Sequence, residues 1–176
     1  MQQLKRTLIW LCRIRHCRGF GIQSPSDFRF VRYVVTETAL YYAYEQVGKG
    51  DDWLRRKLGL LCFRLANERQ PHVIVDDAHI DDYLHAGCRK AQIIANLSPL
   101  PEPLEMAILP TEAYSPQLFC QCNQHSLLVF HDTYNHRSLW HQIEKDPSPV
   151  TTFDLYYFGI VLFDQKRSRH NYIVNI

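Results

Sequence analysis

The chain has 176 residues, with a hydrophobic fraction of 46% and an aromatic fraction of 12%, which is enough apolar material for one domain with a substantial core and too much for a disordered chain. A formal net charge of +2 is too small for a molecule that holds nucleic acid by bulk electrostatics. The charge is unevenly spread: through Arg32 seven basic residues stand against one acid, Asp27, so this arm carries +6 and the remainder −4 of the total.

In chain order, Leu4, Leu8 and Leu11 recur at helical spacing and predict a helix over Leu4 to Cys17, ended by Gly19-Phe20-Gly21. Ser24-Pro25-Ser26-Asp27 is a helix start, with a second helix expected to Thr38 that buries Phe28, Val31, Val34 and Val35. Asp52 is placed to cap a helix from Trp53 to Arg69, which Gln70-Pro71 breaks. Val73-Ile74-Val75 is a short apolar strand of the kind a parallel sheet needs, and a helix is expected from Asp81 to Lys90. Strands are expected at Gln92 to Leu97, Leu104 to Leu109 and Ser126 to Phe130, with a short helix at Ser115 to Cys122 between the last two. A helix from Arg137 to Lys145 follows, then strands at Thr151 to Tyr157, Gly159 to Phe163 and Tyr172 to Ile176. Alternating strands and helices followed by consecutive strands predict an α/β fold, its sheet mostly parallel with an antiparallel carboxyl-terminal edge. Residues 1–45 are expected as a basic helical arm packed on a body formed by residues 46–176, the whole being one structural domain.

Two stretches resemble a known group. Gly19-Phe20-Gly21-Ile22-Gln23-Ser24-Pro25 is similar to the "GhGiHSPf" signature of Bacteroidetes class I S-adenosylmethionine-dependent methyltransferase-like proteins, and Tyr41-Tyr42-Ala43-Tyr44-Glu45 to the "YYAYE" that follows it there. The helix before Gln70-Pro71 and the tail from Leu128 to Ile176 are similar as well; the middle matches only in order and spacing. The resemblance implies a Rossmann-like, methyltransferase-type fold, here shortened in the middle and with amino-terminal helices added. It also implies S-adenosylmethionine as the donor, lying by position against Val75, Asp76, Asp77, Ala78 and His79, with Asn96 standing where the family's second strand ends in a ribose-binding acid. That turn has no glycine between Val75 and Asp81, and a cofactor that packs on bare backbone is obstructed by every Cβ. The expectation is therefore a degenerate site with weak or lost donor binding. A methyltransferase-like protein of reduced activity and a non-catalytic interaction or regulatory module on the same fold are the two functional readings.

Asp132, at the end of the strand at Ser126 to Phe130, matches the family's acidic turn, and with His131 is the candidate catalytic pair. His136 and His141 are considered beside them for a metal, but their i to i+5 spacing is poor on one helix face and no metal is expected. The plainer alternative is that Asp132 and Asn135 cap the next helix. Asp76, Asp77, Asp81 and Asp82 are a second cluster, suited to a cationic ligand or to a solvated helix start. A remodelled ligand pocket lined by Asp77, His79 and Asp132 is a third reading. Tyr41, Tyr42, Tyr44 and Trp53 are candidates for a pocket floor.

No secretory leader or membrane-spanning run is evident, so the cysteines Cys12, Cys17, Cys62, Cys88, Cys120 and Cys122 are expected as free thiols, mostly in the core, in a cytoplasmic setting. The basic arm is compatible with a membrane surface or a protein partner; the simpler expectation is that Leu4, Leu8 and Leu11 dock on the body while the charges stay wet. No specific nucleic-acid binding is expected, and the edge strands leave a homodimer open.

Overall fold

The computed structural model describes residues 2–95 and 100–176. Among the described residues six α-helices occur: α1 (Gln2–Cys12), α2 (Pro25–Phe30), α3 (Trp53–Arg69), α4 (Asp81–Gly87), α5 (Pro116–Cys120) and α6 (Arg137–Lys145). Seven strands form one sheet: β1 (Val73–Asp76), β2 (Gln92–Ile94), β3 (Leu104–Pro110), β4 (Cys122–His131), β5 (Thr151–Asp154), β6 (Phe158–Leu162) and β7 (His170–Ile173). Their spatial order is β2-β1-β3-β4-β6-β5-β7. β1 to β4 pair in parallel, β6 runs antiparallel to both β4 and β5, and β7 is parallel to β5. Among the described residues between Val75 and Leu104 the chain forms α4 and β2, and β2 is an outer strand. Asn96 lies outside the described residues.

The core follows from period-two alternation along the central strands. Ile74, Met106, Ile108, Leu127, Val129, Ile160 and Leu162 face α3, α4 and the amino-terminal segments. Their neighbours Val75, Ala107, Leu109, Leu128, Phe130 and Val161 face α5 and α6. All of these side chains are buried, so the strands read as continuous apolar runs, as a sheet covered on both faces requires. Gly159 of β6 sits under the indole of Trp140 from α6; a Cβ there would lie 2.1 Å from the ring. Glycine is what lets the fully buried tryptophan lie flat on the sheet.

α3 runs the predicted length because both its stops were encoded. The Asp52 carboxylate accepts from Leu54 N at 2.7 Å and Arg55 N at 3.0 Å, and Gln70 leaves the helix at φ 48 before Pro71. Its arginines then fasten the preceding chain. Arg56 donates to the carbonyls of Tyr44, Val47 and Gly48, and Arg64 to those of Val34 and Val35.

Three expectations are corrected here. The second helix gives way after Phe30 to one wider turn, Val31–Val35, closed by Thr36 N and its hydroxyl on Val31 O. Phe28 falls on the outer side of this segment and is 39% exposed. Only Cys62 and Cys88 of the six cysteines are buried. The third correction concerns α1. Leu4, Leu8 and Leu11 are 68%, 54% and 49% exposed and face away from the body. The docked side carries Arg6, Ile9 and Arg13 instead. Arg6 lies over the Trp53 ring at 4.2 Å. Arg13 reaches Asp154, donating to its backbone carbonyl at 2.5 Å, with its guanidinium 3.4 Å from the carboxylate. The arm is thus held by guanidinium contacts to a π face and a buried acid. Asn175 N completes the attachment on His16 O at 2.9 Å.

Asp154 is also bound by Arg137 of α6 at 2.7 Å and by Tyr156 N. Burial works against its charge, but the Arg137 hydrogen bonds and the Arg13 guanidinium hold its carboxyl below the ordinary value. Asp154→Ala leaves two guanidinium groups without their acid and is expected to cost about 3 kcal/mol, measured by urea unfolding. Gly159→Ala is expected to cost about 2 kcal/mol or more by overpacking against Trp140, with a near-ultraviolet circular dichroism change from the displaced indole.

Candidate functional site

The strand order reverses between β1 and β3, and in open α/β sheets the carboxyl ends of the strands beside such a reversal form the ligand crevice. Here those ends bring together Asp76 and Asp77 from β1, Thr111 after β3, and His131 and Asp132 from β4. Asp77, Ala78, His131 and Asp132 line one cleft of about 330 Å³, with Asp52, Arg55 and Phe158 completing its walls. Val75 is fully buried and points to the α5 and α6 side, away from that cleft. His79 lies instead in a neighbouring depression of about 290 Å³ with Asp51, Arg55, Asp81 and Asp82. Asp77 and Asp132 thus share one cleft, and His79 lines the other.

The turn after β1 is closed by the chain itself. Asp76 is fully buried and folds its carboxylate back under the turn, accepting from Ala78 N at 3.0 Å and from Ile80 N at 2.6 Å. Asp77 N donates to Ile108 O at 3.0 Å and so belongs to the sheet. From above, Arg55 of α3 donates to the carbonyls of Ala78, at 3.1 Å, and of His79. Its Nε also meets Asp51 Oδ1 at 3.2 Å, and Tyr83 of α4 donates to the other Asp51 oxygen at 2.8 Å. His79 takes up φ 54, the left-handed turn a glycine would adopt without strain. An acid below and an arginine above therefore satisfy these peptide groups from within the chain.

Burial pushes the Asp76 carboxyl up to about 6, and the neighbouring Asp81 side chain pushes the same way. The sequence pattern offered the four aspartates as one cluster. In the structure Asp76 turns inward with the Asp81 side chain beside it, Asp77 lines the cleft, and Asp81 and Asp82 line the His79 depression.

At the end of β4, Asp132 holds φ 63 and accepts from Asn135 Nδ2 at 2.8 Å. The two residues pair with each other and do not cap α6, whose N-cap residue, His136, makes no side-chain capping hydrogen bond. His136 Nε2 lies 3.6 Å from Asp132 Oδ2 and 3.7 Å from Glu112 Oε1. His141 is turned away onto Glu144 at 2.8 Å, so the four-residue His/Asp cluster does not assemble. Among the described residues no group of three or more His, Cys, Asp or Glu is arranged to hold a metal ion. His131 Nε2 is buried with no hydrogen-bond partner, and burial lowers its pKa against the pull of Asp77 and Asp132. A neutral imidazole beside two carboxylates has the chemistry of a proton acceptor.

Arg55 and Glu112 were not anticipated. Arg55, in the first turn of α3, stands at i+4 from Asp51 in the loop before it, the pattern of an ordinary surface ion pair, and only the fold shows its fork reaching a turn 23 residues on. The aromatic cluster divides: Tyr41 and Tyr44 pack on Phe63, Tyr42 is exposed, and Trp53 lies under Arg6 and Lys57. Another cavity, about 600 Å³, lies between α1 and α3, with Asn175 and Ile176 beyond β7 in its lining. Two of its three cations, Lys57 and Arg64, are already engaged by backbone carbonyls, and it shares no lining residue with the cleft of Asp77, His131 and Asp132.

In comparison with known proteins, the chain matches no family model, no curated sequence and no solved structure.

The raised pKa of Asp76 makes a signed prediction. Between about pH 4 and 6 the folded state holds a proton that the unfolded carboxyl, at 3.8, has released, so stability falls as the pH rises through that window. Asp76→Asn cannot titrate. The unfolding free energy of wild type minus that of Asp76→Asn should decline by up to roughly 3 kcal/mol from pH 4 to 6, in paired urea titrations.

Proposed function

We propose that this chain is a methyltransferase-like protein that has kept the Rossmann-like architecture of that group and closed its donor turn, so that its role is that of an interaction or regulatory module and not of a methyl-transfer enzyme. The likeness of the two terminal stretches to that group supports the first half, together with the mostly parallel sheet and its reversed carboxyl-terminal strand. The second half rests on one observation. The Asp76 carboxylate occupies the Ala78 and Ile80 peptide N–H groups while Arg55 occupies the carbonyls of Ala78 and His79.

An adenosyl donor approaching this turn meets side chains where its relatives offer bare backbone. To gain peptide hydrogen bonds it must displace an acceptor tethered one bond away, which loses almost no translational freedom when it binds. In a relative with an open turn, the donor's sulfonium would bring a methyl group to the acceptor across the carboxyl ends of β1 and β4. Here His131 and Asp132 still stand at that position, but Arg55 and Ala78 wall the cleft opposite them with side chains where bare backbone would be needed.

Calorimetric titration of the purified chain with S-adenosylmethionine and with S-adenosylhomocysteine tests this. Neither should release heat at millimolar ligand, and neither should raise the melting temperature. A micromolar dissociation constant for either, which corresponds to about 8 kcal/mol and at a hundredfold excess to about 2.7 kcal/mol of added stability, would overturn the proposal.

A further inference from the structure

The outward face of α1 has a chemistry of its own. Leu4, Leu8 and Leu11 form one stripe at i, i+4 and i+7, on the side of the helix opposite the docked residues Arg6, Ile9 and Arg13. Ile14, in the turn after the helix, and Phe20 are exposed as well. Lys5, Arg15 and Arg18 accompany them, also exposed. Residues 2–26 contain no Asp or Glu, and the first acid of the chain, Asp27, is buried and bound by Arg167 and Tyr172. This surface thus offers apolar side chains and a local excess of positive charge, with Asp52 in the cleft that Lys5 lines and Glu37 in the cavity that Ile14 and Arg18 line.

We propose that the outward face of α1 is a docking surface for an anionic lipid bilayer, with Leu4, Leu8 and Leu11 entering the headgroup boundary and Lys5, Arg15 and Arg18 meeting lipid phosphates and carboxylates. The pattern of a leucine stripe flanked by cations is what interfacial helices use. No helix of the described residues is long and apolar enough to cross a membrane, so the contact is one of lying on the surface. A second copy of the chain is the weaker occupant on two counts. A strip of three leucines is far short of the roughly 800 Å² per partner that a stable dimer buries. Apposed copies would also bring the cations of residues 2–26 together with no acid from the same segments to pair them. The core does not depend on this face, because the stripe makes no contribution to either buried cluster.

The test is co-sedimentation of the full chain with phosphatidylcholine vesicles and with vesicles rich in phosphatidylserine, alongside size-exclusion chromatography with light scattering. The chain should pellet with the anionic vesicles only, and added salt should release it. Leu8→Gln with Leu11→Gln should abolish pelleting while the far-ultraviolet spectrum and melting temperature stay unchanged. Lys5→Glu with Arg15→Glu should weaken binding on the order of a hundredfold. Absence of pelleting with anionic vesicles overturns the proposal. So does a dimer in solution that the leucine substitutions dissociate, which would assign the face to a second copy. Binding that ignores the leucine substitutions overturns it as well.

Discussion

A buried carboxylate at the end of the first strand sets the character of this molecule. In a parallel sheet the turn that leaves β1 beside the reversal of strand order is where peptide N–H groups are free, since the next element has not yet begun to use them. Ligand-binding members of such folds leave those donors for a guest. Here Asp76 supplies the acceptor from within, and the cost is carried in the raised proton affinity of its own carboxyl. Desolvating a carboxylate is unfavourable unless its lone pairs are used, and two short peptide hydrogen bonds use them. The closed turn and the awkward acid are one feature seen from two sides.

Arginine plays the complementary part throughout. Arg55 covers the turn, Arg56 and Arg64 gather carbonyls of the segments before α3, and Arg13 and Arg137 share Asp154. A guanidinium presents a planar fork that can hold two acceptors with little further ordering, which an ammonium cannot do as well. The irregular stretch between α2 and α3 has few backbone partners of its own. It is kept in place by these forks, while the aromatic rings of Tyr41 and Tyr44 sit against Phe63. The basic excess of the arm is therefore partly structural: Arg6 and Arg13 are fasteners, and the remaining cations face water.

The sheet was legible in the sequence because its signals are local. Val73-Ile74-Val75 and Ser126 to Phe130 announce buried strands by composition alone. α3 and α6 were placed to the residue, α3 by its cap at Asp52 and its break at Gln70-Pro71. The missing glycines marked the turn after β1 as unusual. They could not show why, since that depends on which way Asp76 points and on a long side chain arriving from α3. The leucines of α1 illustrate the same limit. A stripe at helical spacing tells that one face is apolar; whether it turns inward depends on what the body offers. Here Trp53 and Asp154 offer a ring and a carboxylate that suit the opposite face. The pairing of Asp132 with Asn135 was hidden for a related reason, because both residues are competent caps and the left-handed backbone at Asp132 directs them to each other.

The attachment of the arm at its far end has a consequence for self-association. Successive peptide groups of an extended strand point to opposite sides. Val174 N turns inward to Asp154 O, while Asn175 N turns outward and is taken by His16 O, with Cys17 bridging Asn175 in parallel. The arm thus supplies a stub of partner backbone on the open flank just past β7, where another chain would otherwise add as an eighth strand. A molecule that began after Cys17 would lose this contact and leave the outward peptide group of Asn175 open to solvent or to the backbone of another chain.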